Sequence, residues 1–214
     1  MKLVLHNYWR SSASQRVRIG LGLKNLAFEY VVVNIVKREQ DVAAYRERNP
    51  MAQVPTLEIT EDDGTVRTLV QSLPILEYLD ERFPQPPLLP SDLYLRARAR
   101  VLAEIVNSGI QPLQNLTTTN AVTKFGGDAG VWPKSFIADG LAAFERAATE
   151  TAGEFCVGTA PTIADCFLVP QLASARRFGV DVAKHSLLLA IEQRCLALPA
   201  FANAAPDRQP DAVK

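Results

Sequence analysis

The chain has 214 residues, enough for one large or two small domains; 48% are apolar, and 23 basic residues balance 23 acidic ones. That balance argues against the broad positive field of a nucleic-acid or anionic-membrane binder, and no apolar run approaches the ~20 residues needed to span a bilayer. Only His6 and His185 are available as histidines, and Cys156, Cys166 and Cys195 are odd in number and widely spaced, so no metal site, histidine triad or disulfide framework is expected. A strand begins within three residues of Met1, without a signal-peptide apolar core, and a cytoplasmic protein with buried free thiols is expected.

Leu3-Val4-Leu5 reads as a short buried strand, and Ser14 to Asn25 as an amphipathic helix with Val17/Leu21 and Ile19/Leu23 at i, i+4 spacing. Between them, Ser11, Ser12 and Ser14 cluster at a helix start, where unpaired N–H groups and the positive dipole end favour an anion such as a thiolate. Arginines flank the same turn, which suits thiol chemistry on an acidic substrate. The plainer reading is that these serines only cap the helix. Phe28–Val33 predicts a second strand, parallel to the first because a helix joins them. A short helix over 41–48 ends at Asn49-Pro50. Pro55 stands too close to the next strand, Thr56 to Thr60, to lie within a ladder, and so occupies an edge or a turn, in trans or in cis. Asp63-Gly64 predicts a hairpin into Val66–Val70, and Ser72 is read as the cap of a helix carrying Ile75, Leu76 and Leu79.

This βαβαββα order, with a proline before the third strand, is the thioredoxin-like arrangement, here assigned to residues 1–83. Residues 84–90 are rich in proline and read as a linker. Residues 91–214 read as all helical: a long helix from Ser91-Asp92 towards Ile110, ended or kinked by Pro112; a polar piece at 115–120; a helix starting at Trp132-Pro133; a helix capped by Thr162 with Asp165 three residues on; and a last helix over 186–198 followed by a polar tail.

The thioredoxin-like half, Pro-rich linker and helical half resemble the soluble glutathione transferases. Ser11-Ser-Ala-Ser-Gln-Arg-Val-Arg-Ile19, Asn49-Pro-Met-Ala-Gln-Val-Pro-Thr56, Gln71-Ser72, Ile110-Gln-Pro-Leu-Gln-Asn-Leu116 and Ala175-Arg-Arg-Phe-Gly-Val-Asp181, in that order, resemble the zeta class, which includes maleylacetoacetate and maleylpyruvate isomerases. Ala13 and Gln15 depart from that class's usual Ser-Ser-Cys-x-Trp, a departure that blurs the substrate.

The resemblance implies glutathione as cofactor and a small acidic substrate isomerised by reversible thiolate addition. Ser11 would donate to the glutathione sulfur, with Ser12 and Ser14 nearby. Gln40 and the backbone of Val54 would hold the peptide, Gln71 and Ser72 the γ-glutamyl end, and Gln111 and Asn115 would close the site. Arg10 and Arg177, before Arg176, are the candidates for substrate carboxylates. The competing readings are that Arg176 and Arg177 are solvated charges at a helix end and that Gln111 satisfies a kinked backbone. At the level of function the alternatives are a general transferase, a dehalogenase of α-halo acids, or a non-catalytic glutathione-binding module. The family also implies a homodimer.

Overall fold

The computed structural model describes residues 1–213. It divides into two compact units, one made of residues 1–88 with the chain's last stretch from 198, the other of residues 89–197.

The first unit is built on a four-stranded sheet in the order β2-β1-β3-β4. Strand β1 (Lys2–Asn7) pairs parallel to β2 (Glu29–Val32) and antiparallel to β3 (Thr56–Thr60), which forms a hairpin with β4 (Val66–Val70). Alternation puts Leu3, Leu5, Leu57 and Ile59 on one face, where they pack against Val17 and Leu21 of α1 (Ser12–Leu23) and Ile75 and Leu79 of α3 (Ser72–Arg82). Helix α1 is not the amphipathic helix expected: every residue from Ser14 to Leu21 is buried. At Gly20 the packing is close, since a Cβ would lie 2.2 Å from the Leu76 side chain and displace it. A short 3-10 turn (Glu39–Asp41) and α2 (Ala43–Arg48) connect β2 to β3. The peptide before Pro55 is cis, as is the one before Pro86.

Two expectations about this unit are corrected. Ser72 does not cap α3; Gln71 occupies the N-cap position, at φ 68° and without a side-chain cap bond, and Ser72 is the first helical residue. The Pro-rich stretch is not a free linker either, because the buried Lys24 ammonium bonds Asp80 at 2.8 Å and the carbonyls of Phe83 and Pro86, drawing the chain in as far as the buried Leu88.

The second unit contains α4 (Leu93–Asn107), capped by Asp92, a 3-10 turn (Gln111–Gln114), α5 (Leu116–Lys124), α6 (Val131–Ala148), α7 (Ile163–Arg177) and α8 (Ser186–Leu196). Helix α4 stops short of Pro112, at Asn107. Helix α7 is the core: twelve of its fifteen residues are buried, and it packs against α4 and α8. The capping box appears as read, with Thr162 and Asp165 bonding each other's backbone. The helical half does not run to the end of the chain. Helix α9 (Pro199–Asn203), with Phe201 fully buried, packs on α1 in the first unit, because the tail read as polar carries an apolar anchor.

Candidate active site

Ser11, Ser12, Ser14, Gln40, Gln71 and Ser72, singled out in the sequence, all belong to the first unit. Ser11 is the N-cap of α1: its Oγ accepts from the Ser14 N–H at 3.2 Å, and its own N–H donates to the Tyr8 carbonyl at 3.0 Å. Accepting uses a lone pair and leaves the hydroxyl proton to donate, while the helix behind it supplies the positive dipole end. The capping reading of Ser11 therefore holds, and the cap bond does not use the hydroxyl proton. Ser12 is the first helical residue and partly exposed. Ser14 is fully buried, and its Oγ lies 3.5 Å from the Tyr8 N–H, so it supports the turn instead of facing a ligand.

The loop before β3 is held from below. The Tyr45 hydroxyl donates to the Gln53 carbonyl at 2.7 Å and lies 3.0 Å from Thr56 Oγ1, and Asn49 Nδ2 reaches the same carbonyl at 2.8 Å. Burial pushes the Tyr45 phenol up and keeps it a donor. Val54 follows directly, ahead of the β3 ladder and before the cis proline. Gln71 is brought to the same loop by a 3.0 Å bond from its Nε2 to Gln53 Oε1. A non-glycine residue at φ 68° is costly and marks a position worth reading functionally. Ser72, at the start of α3, is buried and accepts from Arg16 Nη1 at 3.1 Å. Gln40 leaves its buried Oε1 without a hydrogen-bond partner among the described residues, an acceptor that a ligand N–H would satisfy.

The arginines around the first turn are not equivalent. Arg16 and Arg18 are buried, Arg16 against Ser72, and Arg10 is exposed, with its guanidinium 5.7 Å from the Trp9 ring centre. Arg18 donates to Asn7 Oδ1 at 2.8 Å, the Trp9 carbonyl at 3.0 Å and the Ala204 carbonyl at 3.2 Å, and burial lowers its pKa to about 10. In the second unit, Gln111 Nε2 bonds Asn115 Oδ1 at 3.0 Å. Arg177 is exposed and lies over the Phe178 ring, whereas Arg176 is committed to Glu192 through two bonds of 2.6 and 2.5 Å. The three cysteines are buried, and desolvation raises all three thiols, as inert core residues require.

Sequence reasoning missed Tyr45, Asn49 and Asp211. The first two were findable as polar residues four apart, one on the short helix and one just past its end, before a proline. Asp211 carried no local signal, since its partners lie near the other end of the chain.

Residues 5–87 match the family model for the glutathione S-transferase N-terminal domain. A probable maleylacetoacetate isomerase 2 of Drosophila melanogaster is 44% identical over 97% of this chain and 89% of its own length. The crystal structure of the maleylacetoacetate isomerase of Anaeromyxobacter dehalogenans 2CP-1 with glutathione bound in the active site is 53% identical, with a TM-score of 0.91 over 99% of this chain and 98% of that one. A maleyl pyruvate isomerase described as a bacterial glutathione S-transferase in the zeta class is 39% identical, with a TM-score of 0.90 over 98% of this chain and all of that one. With its fold, its Ser11 turn and these likenesses along nearly its whole length, the chain belongs to the zeta class of the glutathione S-transferases.

Proposed function

We propose that the protein is a glutathione-dependent cis–trans isomerase of a maleyl-type keto diacid, maleylacetoacetate before maleylpyruvate. The observation that carries this reading is the Ser11 hydroxyl, fixed at the N-terminus of α1 with its proton available. When bound, glutathione supplies a thiolate that adds to the double bond, permits rotation and leaves again, so that it is not consumed.

The residues of the first unit fit that cofactor. Ser11 donates to the sulfur and lowers a thiol pKa that is ~8.5 in water, with Ser12 beside it. Val54 pairs with the peptide backbone, and the unpartnered Gln40 Oε1 takes one of its N–H groups. Gln71 and the start of α3 at Ser72 receive the γ-glutamyl carboxylate, where a helix N-terminus favours an anion. Arg10 and Arg177, both exposed, are the candidates for substrate carboxylates, ahead of Arg176, which is engaged in a bidentate pair with Glu192. Gln111 and Asn115, bonded to each other, remain candidate cofactor contacts. Ala13 removes a protein thiol from beside the cofactor, which leaves the isomerisation intact because the cofactor brings its own.

Two further readings accompany this. A cytoplasmic setting fits three buried free thiols, and no helix among the described residues is long and apolar enough to cross a membrane. A homodimer fits the exposed Leu93, Tyr94 and Val101 on α4.

Turnover followed with both diacids and a free-thiol assay tests the assignment. The trans product should accumulate at constant thiol concentration, faster from maleylacetoacetate. Loss of one thiol per product would make the protein a conjugating transferase instead, and halide release from an α-halo acid would mark a dehalogenase.

A further inference from the structure

The end of the chain is tied to the turn that carries Ser11. Asp211 Oδ2 accepts the Trp9 backbone N–H at 3.0 Å, and Oδ1 accepts the Tyr30 hydroxyl at 2.5 Å. The other side of the same residue is held as well: Arg18 donates to the Trp9 carbonyl at 3.0 Å and is itself anchored on the Ala204 carbonyl, just past α9. Trp9 is thus gripped at its N–H by an anion and at its C=O by a cation, both depending on the segment from residue 198 onward. The turn closes with the Ser11 N–H on the Tyr8 carbonyl, which Arg18 also approaches at 3.4 Å. A serine hydroxyl that must point at a sulfur is useful only within a few tenths of an ångström, and groups behind such a donor set its direction.

We infer that Asp211 is a positioning residue for the thiol-activating turn, so that the far end of the chain sets how well Ser11 stabilises the glutathione thiolate. This rests on the role of Ser11 proposed above. Arg18 and Tyr30 are the ionisable groups that interact with the carboxylate. Asp211→Asn keeps the shape of the side chain but weakens the acceptor facing Trp9 and removes the charge opposite Arg18. Tyr30→Phe loosens the same carboxylate without altering an acceptor.

The test uses the full chain with glutathione alone and then in turnover. The ultraviolet absorbance of the bound thiolate is titrated in wild type, Ser11→Ala, Asp211→Asn and Tyr30→Phe, and kcat is measured across pH. For Asp211→Asn the bound thiol should titrate at higher pH than in wild type. Its kcat at neutral pH should fall on the order of tenfold. That deficit should shrink at alkaline pH, where the thiol ionises unaided, and KM for glutathione should change less than kcat. Tyr30→Phe should move the titration in the same direction by less. An Asp211→Asn enzyme with the wild-type titration, or one that loses only thermal stability, overturns the inference while Ser11→Ala still shows the raised thiol. Should Ser11→Ala titrate as wild type does, the sulfur-activating role of Ser11 fails, and the role of Asp211 fails with it.

Discussion

Two helix N-caps in this molecule use the same chemistry for opposite ends. At α7, Thr162 Oγ1 accepts the Ala164 N–H, while Asp165 accepts the N–H groups of Thr162 and Cys156 at 2.7 and 2.9 Å, all in the core. Every capacity there is spent inside the protein, and the result is stability. At α1, Ser11 takes one bond from Ser14, is partly exposed and keeps its proton. A cap becomes a functional donor when burial stops short of it and its valence is incompletely used. The capping motif alone does not distinguish the two cases.

Swapping out the two caps should separate the roles. Ser11→Ala should lower kcat by ~10²–10³, the usual consequence of removing a donor to a developing or held anion, while losing only about 1 kcal/mol of stability. Steady-state rates alongside a thermal melt check both halves, and a wild-type rate would return Ser11 to a purely structural cap. Asp165→Ala should do the reverse. It strands two buried N–H groups and should cost about 3 kcal/mol, seen as a fall of roughly 10 °C in Tm, with kcat per folded molecule unchanged at a temperature where the variant is folded.

The smallest effect lies in the sheet. His6 sits with its side chain 12% exposed and Nε2 3.9 Å from Glu58, and its pKa is lowered, first by desolvation and then by Arg48. A histidine lowered in the folded state takes up its proton later than in the unfolded chain. Its contribution to stability is therefore complete above the ordinary value near 6.5 and is lost as pH falls through that value towards the folded pKa. His6→Gln should flatten the decline in Tm between about pH 7 and pH 5; an unchanged slope would assign that decline to other groups.

The local rules carried far in some places. Thr56–Thr60 and Val66–Val70 came out with the limits expected from alternation and the Asp-Gly turn, and the capping box at 162–165 formed as spelled. Each of these signals involves partners within a few residues, and the cost of closing so short a loop is small. Gln71 shows the limit of that logic: Ser72 is the better cap by propensity, yet the chain puts Gln71 at φ 68° and buries Ser72 against Arg16.

The amino acids in order were enough to specify strands, hairpin, the cap at 162–165, family words and the candidate serine, because hydrophobic periodicity and capping are read over one or two turns. Which arginine stays in water, which tail residue grips Trp9 and where the second unit stops were settled by packing. Arg10, Arg16 and Arg18 are alike in sequence, and packing separates them: Arg18 can enter the core because Asn7, Trp9 and Ala204, the last of them 186 residues away, meet a guanidinium that would be costly to bury without partners.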